Sequence, residues 1–399
     1  VGQAPGTALG AAPWSPGFGV PNLVTMRKSL PGKKIIAVSA LVALLAATTA
    51  TPALAVTKPR DEVDKALKTL VRDGVPGAQA TVTSASGRTW SEREGAGNIE
   101  TGTPFPHGSK FRAASVTKTF VAVVVLQLVA EGKVRLDTPI ESYLPGLVRG
   151  NGNDGTKITV RQLLQHTSGL YNYVRDLDID EWRHRGAEPG ELVAIGLAHP
   201  PLFAPGTSWS YSNTNYVIAG MLIEKLTGRS VADEIDGRIV RPLGLRGTAL
   251  PSRGDERLPF PHARGYTPRG TGLADFTEFD PSAAGASGGL VSTGEDLNRF
   301  FGALVDGRVL KRAQLAEMQR TIPAPVGIPG AEYGLGIASV PLSCGGRFWG
   351  HGGNIVGFAN LSGAVPHGRR VNVVVNQDPL PDKASDDLAK ALDTGFCAR

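Results

Sequence analysis

The chain has 399 residues, of which 41% are hydrophobic and 20% charged, and its formal net charge is +6. That balance belongs to a folded globular protein and excludes a disordered or fibrous one. Four of the 42 basic side chains are Arg27, Lys28, Lys33 and Lys34, and the remaining 38 face 36 acidic ones, so no basic stripe of the kind a nucleic-acid binder carries is left.

Residues 1–25 are rich in Gly, Pro and Ala and are expected to be sequence upstream of the true start at Met26. Residues 26–55 have the form of a signal peptide. The four basic residues make a positive n-region, Ile35 to Ala50 is apolar and Ala-rich, and Ala53-Leu54-Ala55 gives a small-x-small cleavage site. A transmembrane helix is the rival, but the strongly apolar core from Ile35 to Ala47 is short for a span. The mature chain is expected to begin near Val56, to be secreted, to carry no membrane anchor and to be a monomer. Cys344 and Cys397 fit an exported protein with one disulfide that ties the C-terminal helix to the body; two unpaired buried thiols are the other reading.

Asp61 to Asp73 reads as an amphipathic helix with Val63, Leu67, Leu70 and Val71 on one face. Ala78 to Ser84 and Thr89 to Gly95 read as paired strands around a Ser86-Gly87 turn. Val116 to Glu131 reads as a helix ended by Gly132, and it is apolar nearly all round, which predicts burial at the centre of the protein. Residues 136–275 hold short helical patterns and long loops, the composition of an inserted, mostly helical lobe. Strand patterns return at Tyr333 to Val340, Arg347 to Trp349, Phe358 to Val365 and Val371 to Asn376, before a last helix from Asp382 to Phe396. The expected fold is therefore α/β (α+β): residues 56–135 and 276–399 build one antiparallel sheet flanked by helices, with the all-α lobe inserted between them.

Three stretches carry candidate chemistry. In Ser115-Val116-Thr117-Lys118 a hydroxyl and an amine share one helix face at the N-terminus of the most apolar helix. The free N–H groups and dipole there favour an alkoxide and disfavour a protonated Lys118, so a desolvated lysine can act as base. In Tyr211-Ser212-Asn213 the phenol can relay a proton to a leaving group, and Asn213 can hold a substrate amide. In His351-Gly352-Gly353, after Phe348-Trp349-Gly350, the glycines let a substrate backbone lie against a strand edge. The N–H of Asn354, with that of Ser115, would form an oxyanion hole, and His351 could adjust the site's charge. Taken singly, each stretch also has a bland reading: a helix cap beside a solvated lysine, a polar loop, a turn histidine.

A rival is Gly285-Ala286-Ser287-Gly288-Gly289, which matches a nucleophile elbow, with Asp296 or Asp306 and His351 downstream. That motif needs an apolar strand before the serine, and Phe279-Asp280-Pro281-Ser282-Ala283 is not one. No Walker loop, His-Glu-x-x-His or His/Cys ligand cluster is present, so no metal or other cofactor is expected.

The order Ser-x-x-Lys, Tyr-x-Asn, His-x-Gly resembles the serine β-lactamase and DD-peptidase superfamily. So do Glu131 to Asp137, Ile158 to Leu170, Met221 to Gly228 and the two cysteines, over most of residues 60–399. The likeness is nearest to the secreted actinobacterial D-Ala-D-Ala carboxypeptidase/transpeptidase branch; class C β-lactamases, D-aminopeptidases and esterases stand close. It implies that Ser115 is acylated, that Lys118 and Tyr211 share the base and acid work, and that Asn213 orients the substrate. It implies a small peptide or β-lactam as substrate and peptidoglycan as partner. A receptor that is acylated without turnover is the non-enzymatic alternative. The chain departs from the carboxypeptidase pattern at two positions. Gly352 stands where a hydroxyl residue grips the substrate's terminal carboxylate, and Ala338 stands near the expected carboxylate-pairing arginine, with Arg347 nearby.

Overall fold

The computed structural model describes residues 59–398. The expected upstream extension, the signal peptide and the mature start near Val56 lie outside the described residues. Helix α1 (Pro59–Arg72) turns Val63, Leu67 and Leu70 inward. Strands β1 (Gly77–Thr83) and β2 (Thr89–Gly95) then pair antiparallel around Gly87, whose φ of +87° suits a residue without a Cβ. The remaining sheet strands come from the far end of the chain: β3 (Ile322–Pro323), β4 (Glu332–Tyr333), β5 (Ala338–Pro341), β6 (Arg347–Ile355), β7 (Phe358–Ala364) and β8 (Arg370–Val375). They complete an eight-stranded sheet in the order β2-β1-β8-β7-β6-β5-β4-β3, every pairing antiparallel. The register puts Ala80 opposite Val373 and His351 opposite Ser362.

Helix α2 (Thr117–Ala130) lies on one side of this sheet, and its residues from Thr117 to Leu126 are all buried. The uniform apolar surface leaves it no face for water, so it is enclosed by other helices in the core, and Phe120 stacks on Phe300 at 3.8 Å. Truncating Phe120 to Ala there costs about 3–5 kcal/mol. Helix α3 (Thr214–Thr227) packs beside it, and helix α4 (Gly294–Val305) presents Leu297, Phe300, Phe301 and Leu304 to the same core. The opposite side is covered by α1 and α5 (Ala384–Cys397), whose Leu388, Ala391 and Leu392 meet Val371, Val373 and Val375. Cys344 and Cys397 are joined, fastening α5 to the β5–β6 turn. No helix among the described residues is long and apolar enough to cross a membrane.

Three local readings are corrected. The single strand expected from Tyr333 to Val340 is two strands, because Gly334 to Ile337 leaves the sheet and folds onto α2. Gly336 (φ +72°) comes so close that a Cβ would sit 2.6 Å from the Ala122 Cβ, and its carbonyl accepts from Thr119 Oγ1 at 2.7 Å. The strand expected at Arg347 to Trp349 runs on to Ile355, so His351-Gly352-Gly353 is strand and not turn. Helix α4 went unread although its start is marked: Thr293 Oγ1 accepts from the N–H of Asp296, and acids fill the first turn.

Candidate active site

The short strand Lys110–Arg112 pairs with Val291–Thr293 and delivers the chain to a 3-10 turn, Ala114–Val116, that leads into α2. Ala114 has φ +52°, a conformation costing an L-residue roughly 1–2 kcal/mol. The surroundings hold it there. Thr117 Oγ1 donates to the Ala114 carbonyl at 2.6 Å and accepts from the Leu290 N–H at 3.0 Å. Asn360 Nδ2 donates to the Ala113 carbonyl from β7. The strain lifts Ser115 out: from Phe111 to Phe120 every residue but Ser115 is buried. Ser115 thus stands on a 3-10 turn and not on the first turn of the α-helix.

Lys118 is fully buried, and its Nζ lies 3.1 Å from Ser115 Oγ. Nζ donates to Asn213 Oδ1 and to the Ser287 carbonyl, each at 2.6 Å. Burial holds its pKa far below the ordinary 10.5. A neutral amine has two protons and one lone pair; two short bonds to carbonyl oxygens use the protons, and the lone pair is left for the serine hydroxyl. Tyr211 reaches the same hydroxyl from another side. Its ring centroid is 4.8 Å from Nζ, burial raises the phenol's pKa, and the hydrogen bond with Ser115 opposes that rise in part. The phenol is therefore neutral and able to give a proton.

Asn213, expected to orient the substrate, also has a place in the hydrogen bonds around Lys118. Its Oδ1 is taken by Lys118, and both its N–H and its Nδ2 donate to Asn172 Oδ1 at 3.0 and 3.1 Å. It positions the amine. His351 lies in β6 with Nδ1 2.5 Å from the Gly352 carbonyl and Nε2 2.9 Å from the Tyr333 hydroxyl. A carbonyl only accepts, so Nδ1 carries the proton and Nε2 accepts from Tyr333. Burial first, and Lys118 second, push its pKa down to about 3, so it is uncharged at neutral pH and adds no positive charge to the site.

Gly353 is required by approach. A Cβ there would lie 2.2 Å from the Ala113 carbonyl and 3.0 Å from the Ala114 Cβ, so β6 and the Ser115 turn touch backbone to backbone. Strand β5 ends opposite Gly350, which leaves the β6 edge from His351 to Asn354 without a strand partner beside Ser115. Asn354 turns its side chain away to Asp378 Oδ1 at 2.7 Å. Arg347 is occupied: Nε donates to Ser339 Oγ, and its terminal nitrogen to the Gly330 and Ser339 carbonyls, at 2.7 to 2.9 Å. Next to Tyr211 and His351 opens a cavity of about 40 Å³ walled by Val326, Ala338, Val340 and Phe348, with no Lys or Arg in its lining.

The elbow does not assemble. Ser287 is buried in a helical turn, its hydroxyl donates to the Ala284 carbonyl, and Asp296 is bonded to Gly247 and Thr248. The stretch belongs to the site through the Ser287 carbonyl on Lys118, a backbone role that no side-chain motif announces. Asn172 was missed for the same reason, since its role is to hold another residue.

A family profile described as Beta-lactamase matches residues 63–395. Esterase EstB of Burkholderia gladioli is 31% identical over 308 residues, covering 67% of this chain and 75% of that protein. Penicillin-binding protein 4 of Amycolatopsis lactamdurans is 33% identical over 56% of this chain and 59% of its own length. Among solved structures, a D-stereospecific amidohydrolase from Streptomyces sp. superposes with a TM-score of 0.78 at 40% identity, over 85% of this chain and 99% of that one. The D-amino acid amidase of Ochrobactrum anthropi SV3, complexed with L-phenylalanine amide, gives 0.76 at 28% identity, over 85% and 98%.

Proposed function

This chain belongs to the beta-lactamase family and is a serine hydrolase; from that premise we propose that it cleaves amides and esters of D-amino acids that carry no free carboxylate, through an acyl-enzyme on Ser115. The observation that carries the proposal is the lack, among the described residues around Ser115, of a cation free to pair with a substrate carboxylate. His351 is neutral with both nitrogens committed, Gly352 and Ala338 bring no donor side chain, and Arg347 is bound elsewhere. A D-Ala-D-Ala carboxypeptidase or a β-lactamase acts on a substrate that carries such a group, and burying it unpaired costs affinity. The D-amidase and esterase likenesses support the same class.

In the proposed reaction Ser115 Oγ attacks the substrate carbonyl along the open β6 edge, with the N–H groups of Ser115 and Asn354 taking the oxyanion. The serine proton passes to Lys118 Nζ, and Tyr211 protonates the departing amine or alkoxide and is reprotonated from Lys118. Water then attacks the ester: the Lys118–Tyr211 pair takes one proton from it and passes that proton to Ser115 Oγ as the ester C–O bond breaks, while the hydroxyl stays on the released acid. A receptor that stalls as the acyl-enzyme would need the same lysine to be acylated, and release of the acyl group is what tells it from a hydrolase. The signal-like segment 26–55 and the disulfide support secretion as part of the proposal.

The test compares kcat/KM for D-alaninamide and D-alanine methyl ester with that for an N-acyl-D-Ala-D-Ala peptide and a penicillin. Amide and ester are expected to turn over at least about 10-fold better, the worth of one missing charged hydrogen bond, and Ser115→Ala abolishes the activity. Faster release of D-alanine from the peptide overturns the proposal.

A further inference from the structure

The stretch Leu163-Leu164-Gln165-His166-Thr167-Ser168-Gly169-Leu170 has no part in the chemistry described so far, yet it folds against the loop that carries Tyr211. His166 has φ +62° and no exposure to solvent. Its ring lies 4.3 Å from the Tyr211 ring at 33°, with Tyr333, Tyr216 and Trp209 also around it at 5.2 to 5.9 Å. The main chain of the Tyr211 loop is pinned to the same turn, since the Ser210 N–H donates to the His166 carbonyl at 3.0 Å.

The hydrogen bonds fix the ring's protonation state. The N–H of Ser212, the peptide that follows Tyr211, points at Nδ1 from 3.2 Å, and Asn215 Nδ2 from 3.1 Å. Ser168 accepts the Leu170 N–H and gives its own proton to Asn215 Oδ1 at 2.6 Å, which orients that amide with its NH₂ toward the ring. Two donors converge on Nδ1, so Nδ1 is unprotonated and the proton is on Nε2. Nε2 has no acceptor and is buried among the aromatic rings. A histidine left with an unpartnered N–H is expensive to bury; a Phe would be cheaper if packing alone were wanted, and it could not accept from Ser212.

We propose that His166 is a positioning residue for Tyr211: its Nδ1 anchors the Ser212 peptide and its ring face backs the phenol, holding the proton donor on Ser115 Oγ. The proposal rests on the reading of Tyr211 as the group that protonates the leaving group. Loss of the anchor lets the phenol shift by a fraction of an ångström to about 1 Å, enough for a rate loss of roughly 100-fold when a proton must be delivered in line.

The test uses two ester leaving groups on one D-alanyl acyl group. An alkoxide needs protonation as it departs, and p-nitrophenoxide does not. Rates are counted per active serine, titrated with a fluorophosphonate, in wild type, His166→Phe, His166→Asn and Tyr211→Phe. Phe keeps a ring and loses the acceptor; Asn keeps an acceptor oxygen near the place of Nδ1 and tolerates a positive φ. His166→Phe is expected to lose about 100-fold in the single-turnover acylation rate on the alkyl ester but only a few-fold on the nitrophenyl ester, with His166→Asn recovering most of the loss. Equal losses on both esters mark a merely structural residue and overturn the proposal. A selective loss in Tyr211→Phe without one in His166→Phe overturns it while sparing the role of Tyr211; no selective loss in Tyr211→Phe overturns both. Should His166→Phe fail to fold, ¹⁵N shifts of the wild-type imidazole decide: an unprotonated Nδ1 at neutral pH is expected, and a proton found there refutes the anchor.

Discussion

Gly353→Ala is the sharpest single perturbation of the site, because it adds one methyl group where two backbones already touch. The new Cβ would stand 2.2 Å from the Ala113 carbonyl, 2.7 Å from Asn360 Nδ2 and 3.0 Å from the Ala114 Cβ, against 3.4 Å or more for an ordinary contact. The obstacle is main chain, not the end of a flexible side chain, so β6 and the Ser115 turn must part by roughly 1 Å, a misplacement worth about 100-fold in rate. The overpacking itself costs about 1–3 kcal/mol. Steady-state kcat on D-alanine methyl ester, normalised to titrated serine, should fall about 100-fold, while far-UV circular dichroism shows a folded protein of lower melting temperature. Gly190→Ala is the matched control. Gly190 sits in the first turn of the helix Pro189–Leu197 with nothing within 4 Å of its Cβ position, so activity is unchanged and stability holds or rises by about 0.4–1 kcal/mol. A Gly353→Ala enzyme within three-fold (about RT, 0.6 kcal/mol) of wild type would refute the claim that this backbone contact sets the distance from nucleophile to strand.

Lys118→Met should lower kcat by about 10²–10⁴-fold, the range for losing a general base, with the fold retained. The wild-type acid limb should also go, since the active amine is the neutral one. The folded-state pKa of Lys118 lies below its unfolded value, so the unfolded chain binds the extra proton between the two; wild-type stability relative to Lys118→Met should therefore rise with pH up to about 10. His351 obeys the same sign at lower pH. With its pKa pushed down to about 3, wild type should lose up to about 1.4 kcal/mol per pH unit relative to His351→Gln as pH falls from 6.5 toward 3, measured by urea unfolding. Reducing the Cys344–Cys397 bridge, which spans 53 residues, should cost about 4 kcal/mol and lower the melting temperature, with activity per folded molecule unchanged.

Much of this architecture was legible because local and tertiary preferences agree. The β1–β2 hairpin announces itself by Ser86-Gly87, and α2 by an apolar surface that fits only a core. The parts that were not legible are set by neighbours distant in sequence. Gly334 to Ile337 has strand-like residues but is drawn onto α2 by Thr119 and Ala122. His351-Gly352-Gly353 looks like a turn because glycine is read as a break, whereas Gly353 is there to admit another backbone. Helix α4 was legible in principle, from Thr293 and the Leu297, Phe300, Phe301, Leu304 face. At the site, side-chain motifs pointed to Ser115, Lys118 and Tyr211, which the structure brings together. They did not foretell that Asn213 also holds Lys118 and bonds to Asn172, and could not reveal Ser287, which contributes a carbonyl.

The most direct test is to locate the covalent intermediate. Wild type and Ser115→Ala are mixed with a D-alanyl p-nitrophenyl ester, quenched in acid within the first turnover, digested and mapped by mass. The expected result is one D-alanyl group on the peptide containing Ser115, formed much more slowly in Lys118→Met and absent from Ser115→Ala. An acyl group on Ser287 or any other residue, or one that forms equally in Ser115→Ala, contradicts the account.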